Sequence, residues 1–159
     1  MNAIRSIVVA SAAALLAAPA LAGGKYVSLE GKWSLNLDKT HYPQGFPKIT
    51  KNDMNVTKDD GKSLEFTEDL TMDGKDITSS WKGAYDGKFY PTSDGQQLAW
   101  HHVSKMAAGD ERKNGEGDMT GKSTCSVSKD EKTLTCQIQS FSPKNPKPVK
   151  FTEVFDKVS

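Results

Sequence analysis

Apolar and polar positions alternate with period two along most of this chain. Trp33, Leu35 and Leu37 alternate with Lys32, Ser34 and Asn36, the pattern of a strand with one buried face. Met54 and Val56, then Leu64 and Phe66, repeat it on either side of Asp59-Asp60-Gly61. A three-residue loop with a left-handed Gly61 pairs Lys58 with Lys62, and that register sets Val56 opposite Leu64 and Met54 opposite Phe66. Asp73-Gly74 separates Leu70 and Met72 from Ile77 and Trp81, and Asp86-Gly87 separates Ala84-Tyr85 from Phe89-Tyr90. Asp94-Gly95 precedes a run through Leu98, Trp100 and Val103. Asp-Gly between alternating runs is the strongest local hairpin signal. No segment beyond residue 22 carries a sustained helical period.

The pattern predicts an all-β fold. An antiparallel meander of about eight or nine strands closes into a barrel and so removes its exposed edges. A two-sheet β-sandwich is the alternative. Two segments break the alternation. Residues 40–48, with Pro43, Gly45 and Pro47, read as a loop after the first strand. Residues 105–121 are Gly-rich, charged and nearly free of apolar side chains, which predicts a mobile segment. The run Pro143 to Pro148 reads as a loop because proline cannot donate to a ladder, and a last strand follows through Val149, Phe151 and Phe155.

The N-terminus has a separate logic. Arg5, the apolar run from Ile7 to Ala18 and the Ala20-Leu21-Ala22 site have the layout of a cleavable secretory signal over residues 1–22. Ser11 and Pro19 interrupt the run, which is shorter than a spanning helix needs. The expected organisation is a leader at 1–22, an extension at 23–30 and a single β-barrel domain at 31–159. The expected location is the periplasm or the medium. Export also sets the fate of the two cysteines, since paired cysteines belong to oxidising compartments. Cys125 and Val127 share one face, as do Leu134, Cys136 and Ile138. A turn centred on Asp130-Glu131 places Cys125 opposite Cys136, and a four-residue loop puts that pair at a non-hydrogen-bonded site. A disulfide is predicted there.

Charge removes several function classes. The chain has 21 Lys and Arg against 20 Asp and Glu. Arg5 is the only charge in the leader, so the mature charges balance. No basic stripe suggests nucleic acid or an anionic membrane surface.

Several motifs fall in an order that resembles a family. Gly31-Lys32-Trp33-Ser34-Leu35-Asn36 matches a G-x-W-x-L-N first strand, followed by the loop from Pro43 to Pro47. Tyr85-Asp86-Gly87-Lys88-Phe89-Tyr90-Pro91 and Val127-Ser128-Lys129-Asp130-Glu131-Lys132-Thr133-Leu134-Thr135 come later. In these features the chain resembles exported bacterial lipocalin-like proteins of unassigned function. Glu131 stands where the family's turn has Gly, and 105–121 departs from its strand pattern. The resemblance implies a lipocalin-like barrel with a ligand in its mouth, and no catalytic residues.

Catalytic patterns are weak. Adjacent residues of a strand face opposite ways, so His101 and His102 do not both join His41 around one metal. Ser79/Lys82 and Ser126/Lys129 match S-x-x-K but lie in strands, where i and i+3 diverge. Gly117 to Ser123 is one residue short of a phosphate-binding loop and leads into a strand. Asp59, Asp60, Asp73 and Asp86 occupy turn positions that favour Asp. The expectation is a protein with no catalytic residues, metal or cofactor.

The aromatics remain. Trp33, Phe66, Trp81, Trp100 and Phe151 are the predicted interior and the candidate ligand-binding residues. A barrel this narrow is either filled by side chains or holds one small ligand. The first functional expectation is a non-enzymatic binder of a small apolar or amphipathic molecule. The alternative is a protein-interaction module, such as an exported hydrolase inhibitor, using loop 40–48, segment 105–121 or loop 142–148.

Overall fold

The computed structural model describes residues 26–142 and 145–158. The leader and its cleavage site lie outside the described residues. Ten strands form one antiparallel sheet: β1 Gly31–Leu35, β2 Ile49–Asp59, β3 Ser63–Met72, β4 Lys75–Ala84, β5 Tyr90–Pro91, β6 Gln97–Ser104, β7 Ala107–Lys113, β8 Met119–Val127, β9 Thr133–Ser142 and β10 Asn145–Lys157.

Most strands pair with their neighbours in sequence, and β1 also pairs with β10. Between β4 and β5 the wall narrows to a seam. There Trp81 bridges Thr92, the Ser93 amide donates to the Ser80 carbonyl at 3.0 Å, and the Ser80 amide donates to Ser93 Oγ at 2.9 Å. The meander is therefore a nearly closed up-and-down barrel and not a two-sheet sandwich. It has ten strands where eight or nine were expected.

Turn chemistry sets much of the wall. Asp73 and Gly74 both have positive φ, 51° and 74°, as a two-residue primed hairpin turn requires. They join Met72 directly to Lys75. The Cys hairpin follows its expected register, with Cys125 opposite Cys136 and Val127 opposite Leu134. The Ser128 Oγ and carbonyl close its loop, and Glu131 takes the left-handed conformation, φ 58°. The cysteines are bonded, with a Cα–Cα distance of 4.0 Å, as suits a close, non-hydrogen-bonded pair.

Three expectations are corrected. The β2–β3 hairpin pairs Asp59 with Leu64, because Asp59 itself joins the ladder and the turn spans residues 60–63, with the Asp60 amide donating to the Ser63 carbonyl; a bulge between Val56 and Lys58 then sets Val56 opposite Phe66. Met54 consequently faces Glu68. The segment 105–121 supplies β7 and the start of β8, joined by a tight turn in which the Gly117 amide donates to the Asn114 carbonyl. Residues 145–148, expected in a loop, begin β10, with an irregular register between Asn145 and Val149.

The core is concentrated at one end. Trp33 is 1% exposed and Leu134 fully buried, packed with Leu64, Val127 and Phe155. Residues 26–30, the described part of the expected extension at 23–30, fold across this end and seal it. Trp33 Nε1 donates to the Leu29 carbonyl at 2.7 Å, and the Val27 amide donates to the Lys105 carbonyl at 3.0 Å. Among the described residues no helix is long and apolar enough to cross a membrane.

Candidate functional site

The barrel interior is hollow at its centre. A cavity of about 210 Å³ lies between the sealed end and the β1–β2 loop, with volume for about seven waters at about 30 Å³ each. Of the aromatics picked from sequence, Phe66, Trp100 and Phe151 line it. Trp33 and Trp81 instead belong to the packed core, where Trp81 Nε1 donates to the Tyr90 carbonyl at 3.2 Å. Gly83 permits that packing, because a Cβ there would stand 2.5 Å from the Trp81 ring. The bonded Cys125 and Cys136 form part of the cavity wall.

The wall also carries polar and charged residues among apolar ones, and sequence reasoning missed them. Each sits at an interior position of its strand. Asn52 precedes Met54 and Val56 on β2, and Glu68 lies between Phe66 and Leu70 on β3. Asp110 and Arg112 follow Ala108 on β7, and Glu153 lies between Phe151 and Phe155 on β10. The available signal was parity: a charged residue on the apolar side of an alternating run.

These groups form one electrostatic unit. Asn52 Nδ2 donates to Glu68 Oε1 at 3.0 Å. Asp110 accepts a short hydrogen bond from Ser123 Oγ. Burial pushes the Asp110 carboxyl above its ordinary range, against the pull of Arg112 and Ser123. Burial also opposes the charge of Arg112, but Glu68, Asp110, Glu153 and Asp94 together outweigh it and raise the guanidinium's pKa. A second hollow of about 240 Å³ adjoins this one and shares Phe66, Glu68, Leu70 and Arg112 with it.

Loop 36–48 covers the cavity at the end opposite the seal. The Val154 amide donates to Thr40 Oγ1, and His41 bridges Thr152, so the loop lies along β10. Phe46 packs on Phe151 with ring centroids 4.5 Å apart, and Tyr42 stacks on Phe46 at 5.4 Å. The Tyr42 hydroxyl donates to Glu153 Oε1 at 2.8 Å. Glu153 thus ties the lid to the interior charge.

Burial pushes the Glu153 carboxyl up to about 7, with Glu68 and Asp110 adding to the rise and Tyr42 and Arg112 opposing it. A carboxyl whose pKa is higher folded than unfolded holds its proton more tightly in the folded state. Its stabilising contribution is full below its ordinary value of 4.5 and is lost as pH rises through about 7. Stability should therefore fall between about pH 4.5 and pH 7, by on the order of 2 kcal/mol, and level off above. Glu153→Gln should flatten most of that slope in melts recorded at stepped pH. The part due to Asp110 runs the same way and remains.

The histidines do not converge. His41 lies on the lid. His102 is at the sealed end, stacked 4.1 Å from the Tyr85 ring and with Nε2 2.8 Å from the Gly61 carbonyl oxygen. His101 is exposed beside Gly109. Among the described residues no group of three Asp, Glu, His or Cys side chains is placed to hold a metal ion. No protein-family model matches the chain, and no curated protein matches its sequence.

Proposed function

We propose that this chain is an exported, non-enzymatic, lipocalin-like container for one small amphipathic molecule. The observation that carries the reading is the hollow centre, in which the aromatic rings of Phe66, Trp100 and Phe151 face buried polar groups. Apolar walls with a few polar groups are the ordinary composition of a small-molecule site. A solid barrel would have been packed like the sealed end. The signal-like N-terminus and the Cys125–Cys136 bond support export.

Native mass spectrometry of the protein purified from its own host tests this. The expected spectrum shows an added mass that disappears when the protein is unfolded. A clean mass for the chain alone, together with no change in Trp100 fluorescence on titration with small amphiphiles, overturns the reading.

A further inference from the structure

We infer that the molecule held in the cavity is a small organic cation, a primary or secondary ammonium on an apolar body, with its N–H groups directed to Asn52 and the carboxylates around it. This rests on the container reading and specifies its ligand class.

Charge is the first argument. Glu68 from β3, Asp110 from β7 and Glu153 from β10 share the cavity wall with a single guanidinium, Arg112; Lys122 also borders the cavity, but its ammonium is paired with Glu111. Burial drives Asp110 and Glu153 toward their neutral forms, and a cation placed among the three acids would favour their ionisation, in a space where low dielectric magnifies every charge. An anionic molecule would reach Arg112 only by approaching three carboxylates.

Asn52 supplies an independent argument. It is 5% exposed and lines the cavity. Its Nδ2 is committed to Glu68, which fixes the amide orientation, since a flip would set oxygen against carboxylate. Its Oδ1 has no hydrogen-bond partner among the described residues. A buried acceptor of this kind is normally satisfied, and an N–H of the bound molecule satisfies it. Trp100 Nε1 also lacks a partner. That ring stands in T-shaped contact with Phe66 and Tyr85 and also borders the cavity.

The same wall selects an organic cation over a metal. No three ligating side chains among the described residues are placed to hold a metal ion. Phe46, Phe66, Trp100 and Phe151 instead offer apolar surface and ring faces, which attract ammonium groups. The volume of about 210 Å³ suits a body of about one ring.

The test uses three probes of one size: phenethylamine, phenethyl alcohol and phenylacetate. Each is titrated into the mature protein, dialysed free of any bound molecule, and followed by Trp fluorescence and calorimetry. Phenethylamine should bind at least about tenfold more tightly than the alcohol, and phenylacetate more weakly than either. Glu68→Gln keeps an oxygen for Asn52 Nδ2 while removing the charge, so it should weaken the amine about tenfold and leave the alcohol unchanged. Alcohol or carboxylate binding that equals the amine overturns the charge inference and leaves the container reading standing. Binding by none of the three also overturns it, and the native mass then judges the container reading separately. If Glu68→Gln does not fold, the comparison of probes on the unaltered protein still decides.

Discussion

Asp59→Ala should cost about 4 kcal/mol and lower the unfolding midpoint by about 15 °C, the largest loss expected from any single change at the barrel's end. Asp59 is 4% exposed and closes the seal from the last position of β2. Its carboxylate accepts the Leu29 amide at 2.7 Å, the Tyr26 hydroxyl at 2.7 Å and the Gly61 amide at 3.3 Å. Burial holds the Tyr26 hydroxyl far above its ordinary range, with a lowering contact from Tyr85 outweighed by burial and Asp59, so Tyr26 stays a donor. Alanine leaves these donors facing one another without an acceptor, and hydrogen bonds to a buried charged group are the costly ones to lose. Leu29 would detach with them and expose Trp33, whose indole donates to the Leu29 carbonyl. Differential scanning calorimetry measures the loss, and limited proteolysis at residues 26–30 should show the freed segment. A midpoint within about 3 °C of the parent would mean that the seal is held by apolar contact alone.

Removing the disulfide should have the second largest effect. The bond joins residues 11 apart. In the chain-entropy account, closing a loop of that size removes about 3 kcal/mol of freedom from the unfolded chain. Cys125→Ala with Cys136→Ala should therefore lower the unfolding free energy extracted from urea titration by that amount, and reduction of the parent should match it. Alanine is the suitable replacement because both sulfurs face the interior, where an unpaired hydroxyl would add its own penalty. If reduction changes nothing while the double variant does, the loss lies in packing around the cavity and not in the cross-link.

The wall of this barrel could be read from the sequence, and its contents could not. Asp73-Gly74 and the Cys hairpin were legible because a turn needs particular residues at particular angles and the flanking alternation confirms the register. The β2–β3 register differs because Asp59, a turn residue by local sequence, belongs to the ladder, where Leu29 and Tyr26 engage its carboxylate, and nothing local marks that or the bulge between Val56 and Lys58. Strand β7 was missed for a more instructive reason. Its interior positions are Ala108, Asp110 and Arg112, so the apolar alternation that identifies a half-buried strand is absent where the interior itself is polar. Glu68 and Glu153 stood in plain view, each breaking an apolar stripe. A search for residues that violate the parity of their own strand would have found the cavity before any coordinates.

The pairing of β1 with β10 has a consequence for how the chain comes to be folded. The first and last strands are neighbours, Trp33 beside Lys157 and Leu35 beside Phe155. A growing chain therefore cannot complete its ring until β10 has emerged. Until then Phe66, Trp81 and Trp100 face a space with one wall missing. Contacts of such sequence separation make folding slow and leave a sticky intermediate. Among the local hairpins the Cys125–Cys136 pair is the one that is locked covalently, across 11 residues. It gives the unfinished barrel one fixed corner while the rest waits for its last strand.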